Sequence, residues 1–143
     1  MEIKQIAIFM ENKPGHLRTI CRALADAGIS IHTLSLADTS QYGILRLLTN
    51  EWEKARDVLT QSGFVVNLTE VAAVEVADRP GGLSALLDVV GKAGVNIEYM
   101  YAYTRRLGDK AVMILRFDDP AKAAAALRAG NVKTLAAADI FRS

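Results

Sequence analysis

Two short stretches of this chain carry residue types that can hold both ends of a small charged molecule. Asn12-Lys13-Pro14-Gly15-His16-Leu17 and Asp78-Arg79-Pro80-Gly81-Gly82-Leu83 each set a polar side chain two residues ahead of Pro-Gly. Proline fixes the chain direction, and glycine removes the Cβ, so a ligand can approach the backbone closely. A helix starting at Gly15 or Gly81 leaves its first N–H groups without internal partners, and such an end attracts a carboxylate. Asn12 by its carbonyl oxygen, or Asp78 by its carboxylate, can accept from an ammonium group. An acceptor beside a cluster of backbone donors suits a zwitterion, that is, a free amino acid. The same residue types also serve with no ligand at all, as turn caps and turn formers. Physical chemistry alone leaves both readings open.

The elements around these turns are written twice. Pro14 and Pro80, Leu17 and Leu83, Ile20 and Leu86, Leu24 and Val90, and Gly28 and Gly94 all share an offset of 66 positions. Five landmarks in one register indicate an internal duplication. The 143 residues then divide into units at 1–69 and 70–143, each small enough to need further buried surface, from its twin or from another subunit. Hydrophobic content of 51% and a positive mean hydropathy of +0.17 agree with that need and make oligomerisation a natural outlet.

Charge excludes some partners. Seventeen basic and sixteen acidic residues give a formal net charge of +1, with no electrostatic footprint for nucleic acid and no basic face for a membrane. No apolar run approaches the ~20 residues of a spanning helix. The opening Met-Glu-Ile-Lys-Gln lacks the pattern of a secretory leader. One cysteine, Cys21, rules out an intrachain disulfide and fits a cytoplasmic, reducing setting.

In chain order, Gln5 to Met10 reads as a strand with Ile6, Ile8 and Met10 on one face. Leu17 to Ala27 follows as an amphipathic helix, with Gly28 supplying its left-handed C-terminal residue. Ile29 to Asp38 and Tyr42 to Leu48 are strands joined by a hairpin at Asp38 to Gln41. Asn50, three residues ahead of Glu53, predicts a capped helix whose buried stripe is Trp52, Ala55 and Leu59. Phe64 to Asn67 closes the first unit as a strand, and Val65 to Val76 runs almost unbroken into the second, which implies a tight fusion.

The second unit repeats the order. Ala73 to Val76 is a strand, Gly81 to Ala93 a helix and Val95 to Thr104 a long strand. A hairpin at Arg106 to Asp109 is four residues longer than its counterpart, because Ile114 matches Ile44 at an offset of 70. Ala111 to Phe117 is the next strand, Asp119-Pro120 starts a helix to Ala129, and Leu135 to Phe141 holds the last strand. The fold class is therefore α+β: two ferredoxin-like βαββαβ units with antiparallel sheets and helices on one face. The opposite face is expected bare. Strict alternation in Val95 to Thr104 puts Val95, Ile97, Tyr99, Tyr101 and Tyr103 together, either packed on another sheet or subunit or offered as an aromatic platform.

The double pattern resembles the ACT domain, a small βαββαβ ligand-binding module of regulated amino-acid enzymes. The matching residues are the two hexapeptides above, followed by Ala27-Gly28-Ile29-Ser30-Ile31 and Ala93-Gly94-Val95-Asn96-Ile97. The resemblance covers nearly the whole chain, as two units with no catalytic domain attached. It implies ligands held at interfaces between units, by the first turn of one and a polar residue opening the second strand of a neighbour. By position it implicates Asn12, Gly15, His16, Leu17 and Ser30 in the first unit. In the second it implicates Asp78, Gly81, Gly82, Leu83 and Asn96. Asn96 matches the family's usual asparagine; Ser30 and Asp78 depart from it. A carboxylate at Asp78 should strengthen ammonium binding and repel an acidic ligand side chain, so the two sites are expected to differ.

The remaining candidates are weaker. His16 and His32 are too few for a metal site, and no cysteine pairs with them. Cys21 falls on the first helix's apolar stripe, as a core residue. Arg46 and Arg116 are equivalent third-strand positions, read as solvated in preference to interface-paired, and Arg105 and Arg106 as exposed loop charge. No nucleophile with its base, phosphate loop or carboxylate pair is present, so neither an enzyme nor a cofactor is expected.

Three readings follow from the resemblance. The first is a stand-alone regulatory protein that binds a small amino acid and transmits binding allosterically through packing or partner contacts, as a homodimer. The second is a regulatory subunit of an amino-acid biosynthetic enzyme, since the turn-helix-strand pattern is also similar to the small subunit of acetohydroxyacid synthase. The third is a purely structural dimerisation module. RNA binding on the open face lacks the aromatic-glycine signature and the charge it needs.

Overall fold

A computed structural model describes residues 2–38 and 41–141. Thr39 and Ser40 of the first hairpin lie outside the described residues. The chain divides into two compact units, Lys4–Thr69 and Glu70–Ser143, with the first three residues grouped with the latter.

The first unit runs β1 (Glu2–Glu11), α1 (His16–Asp26), β2 (Thr33–Asp38), β3 (Tyr42–Leu48), α2 (Trp52–Gln61) and the opening of β4 (Val65–Ala77). Its strand order is β2–β3–β1 with β4 beside β1. Alternation decides the inner face. Ile6 stands opposite Leu47 and Ile8 opposite Leu45, and these four pack with Ile20 and Leu24 of α1 and Ala55 and Leu59 of α2. Burying each large aliphatic side chain contributes about 1.5–3 kcal/mol, which is what holds both helices to one face.

Gly28, at φ +73°, ends α1 and turns the Ile29 N–H back onto the Leu24 carbonyl at 2.9 Å. Ile29 is thereby tied to the helix end and buried in the core. For that reason β2 begins at Thr33 instead of Ile29. The predicted Asn50 cap is also displaced. Glu51 is the capping position, without a side-chain bond of its own, and the Thr49 hydroxyl accepts the Glu51 N–H at 3.3 Å. Trp52 is half-buried, with the Arg56 guanidinium 5.4 Å above its ring.

The second unit continues through β4 to α3 (Gly82–Lys92), β5 (Ile97–Ala102), β6 (Lys110–Phe117), α4 (Pro120–Ala129), β7 (Thr134–Leu135) and α5 (Ala137–Ile140). Its strand order is β7–β4–β6–β5. Val74, Val76, Leu115 and Phe117 face Leu86, Val90, Ala123 and Leu127 of the helices. At the start of α4, Asp119 Oδ1 accepts the Lys122 N–H at 3.1 Å and Pro120 opens the first turn.

Four expectations change in this unit or its neighbour. A register shift between Ile97 and Tyr99 inserts Glu98 as a bulge. Ile97, opposite Phe117, therefore turns to the core, while Tyr99 and Tyr101, opposite Arg116 and Ile114, keep the other face. Arg116 is not a solvated strand residue: it donates to the Glu70 carbonyl at 2.9 Å and meets Glu98 at 3.3 Å. The last strand is only two residues long. Beyond it the Asp139 carboxylate accepts the Ala136 N–H at 2.9 Å and winds the chain into α5, while Ile140 is buried. The face away from the helices is not bare either, for Gln5, Ala7, Leu48, Ala73 and Tyr103 are all buried.

Candidate functional site

The two turns share three backbone hydrogen bonds. Lys13 N–H donates to the Glu11 carbonyl and Arg79 N–H to the Ala77 carbonyl, both at 2.9 Å. His16 N–H reaches Lys13 at 3.3 Å, and Gly82 N–H reaches Arg79 at 3.0 Å. Thr19 and Ala85 then close the first helical turns onto Gly15 and Gly81. Gly15 and Gly81 sit at φ +89° and +86°, conformations that cost an L side chain about 1–2 kcal/mol. In each case the polar side chain, the positive-φ glycine and the helix start form one contiguous edge.

The first turn is open. Asn12, Gly15 and their neighbours are exposed, and His16 and Leu17 are half-buried. A cleft of about 350 Å³ lies beside Asn12, lined by Glu11, Asn12, Lys13, Gln41 and Tyr42. The Asn12 N–H donates to the Gln41 carbonyl at 3.0 Å, which ties the turn to the start of β3. Lys13 Nζ lies 2.7 Å from Glu11. That hydrogen bond, with the lysine charge, holds the Glu11 carboxyl below its ordinary range and Lys13 above its own.

The second turn is built more tightly. Gly82 is buried, and a Cβ there would stand 1.9 Å from the Ala77 carbonyl oxygen. Its counterpart in the first turn, His16, carries a full side chain. The Asp78 carboxylate is bound by Arg106 from the β5–β6 hairpin, Oδ2 to Nη2 at 2.9 Å. Arg106 also donates to the Asp109 carbonyl at 3.2 Å. Exposed as it is, Arg106 is paired and is not simple loop charge.

Ser30 and Asn96 are exposed but stand far from these turns within their own units. The register puts Asp38 level with Gly43 and Met10, and Thr33 level with Leu48 at the other end. Six residues of strand separate the ends, roughly 20 Å. In the second unit Ala77 pairs with Lys110, whereas Ile97 pairs with Phe117 at the opposite end of β6. Asn96 is held there by Asp118, whose carboxylate accepts its N–H at 3.0 Å. The structure thus gathers Asn12 to Leu17 and Asp78 to Leu83 as two turns, and leaves Ser30 and Asn96 at remote strand ends.

Gln41, Tyr42 and Arg106 were not expected at either turn. Only the hairpin's extra length pointed toward Arg106. Cys21, expected in the core, is a half-buried free thiol. A separate hollow of about 350 Å³ lies near α5, lined by residues including Glu75, Tyr103, Arg105, Lys133 and Asp139. None of the expected site residues reaches it. Among the described residues no cluster of metal-binding side chains occurs, and no helix is long and apolar enough to cross a membrane.

The family model described as an ACT domain pair matches residues 1–142. No curated protein matches the chain. Among solved structures, protein BT0572 from Bacteroides thetaiotaomicron is 33% identical, covers all of this chain with 98% of its own, and superposes with a TM-score of 0.92. The regulatory subunit of aspartate kinase from Thermus thermophilus, in its ligand-free form, shares the fold at 19% identity, 90% coverage of both chains and a TM-score of 0.64. That from Thermus flavus does so at 21% identity, 92% coverage of both and a TM-score of 0.62.

Proposed function

Because the chain belongs to the ACT domain pair family, we propose that it is a non-catalytic regulatory protein that binds a small amino acid and passes binding on through its own assembly or a partner's. The observation that carries this reading is the open first turn. It offers the Asn12 side-chain carbonyl for an ammonium group and the Gly15 and Leu17 N–H groups for a carboxylate, beside a cleft of about 350 Å³. Asn12, Gly15, His16 and Leu17 make one half of the site. The strand separates the halves within one unit, so Ser30, or Asn96 in the second unit, must come from a different unit, and we assign it to a second copy. A homodimer is the natural form of such a site, and the cytoplasm its natural setting.

A second reading, in which the chain regulates a separate amino-acid biosynthetic enzyme, is favoured by the outer strand β2. Leu34 and Leu36 are exposed there by 42% and 48%, more apolar surface than a free sheet edge usually offers. The regulatory subunits of aspartate kinase that share this fold are examples of such partners by name.

The deciding experiment is a thermal-shift screen against the twenty amino acids with wild type and Asn12→Ala. Free ligand at ~100 times its dissociation constant stabilises by about 2.7 kcal/mol. At ~4–8 °C per kcal/mol for a small domain, the shift is large. One or two amino acids should raise the melting temperature, and Asn12→Ala should abolish the rise. No shift with any amino acid would sink the sensor reading and leave a partner subunit or a structural module, which a pull-down separates.

A further inference from the structure

Duplication gave the chain two Pro-Gly turns, and of their two polar side chains only Asp78 is ion-paired within the described residues. We propose that the second turn is occupied by its own chain: Arg106 fills the ammonium position on Asp78, so an amino acid enters the Asn12 turn in preference to the Asp78 turn. The inference rests on the amino-acid reading above and assigns that site to one half of the molecule.

Three observations converge on it. Asp78 already holds a guanidinium at 2.9 Å, the same charge-assisted contact a ligand ammonium would make. Arg106 is held for the purpose, since its other bond goes to the Asp109 carbonyl at 3.2 Å across the hairpin. The hairpin is also closed by the Leu107–Lys110 bridge. The strand registers make that hairpin two residues longer than its counterpart, not the four expected from Ile44 and Ile114, because Met10–Gly43 and Val76–Ala111 are the equivalent pairs. Nothing comparable reaches the Asn12 side chain among the described residues; its backbone N–H goes to the Gln41 carbonyl.

The third observation is steric. Where the first turn carries His16, the second has Gly82, so close to the Ala77 carbonyl oxygen that a Cβ would lie 1.9 Å away. The α3 start is thus pressed onto the end of β4, and the turn has less room to adjust around a guest. Both effects act in the same direction.

The test follows backbone amides by NMR in the full ¹⁵N-labelled chain, titrated with each of the twenty amino acids. Gly15 and Leu17 report the first turn, and Gly81 and Leu83 the second. An exposed ion pair of this kind shifts a competing affinity by up to about fivefold. In wild type the Gly15 resonance should therefore move at several-fold lower amino-acid concentration than Gly81. Arg106→Gln should lower the Gly81 midpoint about three- to fivefold without moving that of Gly15, and Arg106→Lys should restore it in part. A Gly81 midpoint equal to or below that of Gly15 in wild type overturns the proposal while leaving the amino-acid reading intact. So does a Gly81 midpoint indifferent to Arg106→Gln. If neither turn responds to any amino acid in either protein, the amino-acid reading fails and the proposal falls with it.

Discussion

Gly82→Ala should be the most damaging glycine substitution of the second turn, although Gly82 lies in ordinary helical conformation and its neighbour Gly81 does not. The new Cβ would lie 1.9 Å from the Ala77 carbonyl oxygen and 2.9 Å from its carbon. Both are backbone atoms, so no flexible side chain can swing aside. Relief requires α3 to lift from the end of β4 by more than an ångström. Overpacking of this kind costs about 1–3 kcal/mol. Stretching the Gly82 N–H bond to Arg79, 3.0 Å at present, adds about 1 kcal/mol. Against this, alanine recovers about 0.4–1 kcal/mol from the unfolded chain. The net loss is about 2 kcal/mol. Gly81→Ala meets nothing within 4 Å and loses only the left-handed backbone preference at φ +86°, about 1 kcal/mol. Urea unfolding followed by far-UV circular dichroism, at unchanged m-value, measures both. Gly82→Ala within ~0.5 kcal/mol of wild type, or milder than Gly81→Ala, would falsify the packing argument.

Two other outcomes follow from the C-terminal part of the fold. Tyr103→Phe removes the hydroxyl that donates to the Ile140 carbonyl at 2.6 Å and leaves that carbonyl unpaired, for a loss of about 1–2 kcal/mol in urea unfolding. Burial raises the Tyr103 hydroxyl above its ordinary value, so its contribution is complete below pH ~10 and disappears as pH rises through the folded value. The urea midpoint of wild type should therefore fall toward that of Tyr103→Phe in strong alkali, and a constant gap between them would contradict this. Asp119→Ala deletes the acceptor for the Lys122 N–H and should cost about 1 kcal/mol; Asp119→Asn should keep most of it.

Much of the architecture was legible because local signals and burial agreed. Ile6, Ile8 and Met10 alternate onto one face, β3 has the predicted limits, and Asp119-Pro120 opens α4 where the cap chemistry demands. Signals failed where one residue served two claims. Ile29 reads as strand by type, yet its N–H belongs to the α1 end. Glu98 breaks a period-two count that has no way to register an inserted residue. Leu135 to Phe141 is apolar enough for a strand, but Asp139 bonds back to Ala136 and coils it. At the turns, residue types and backbone geometry were readable from Pro-Gly and its repeat. The Arg106–Asp78 pair was not, because it joins positions 28 apart through a hairpin whose path no local pattern encodes.

Roughly 20 Å of strand between the Asn12 turn and Ser30 has a thermodynamic meaning. On the reading proposed above, a guest that touches both ends takes one of them from a second copy, and binding is then a three-body event. Its apparent affinity rises with the concentration of the protein itself, and the guest in turn draws subunits together by the same free energy. A protein that binds in this way would read its own abundance along with that of its guest, and dilution would weaken its response.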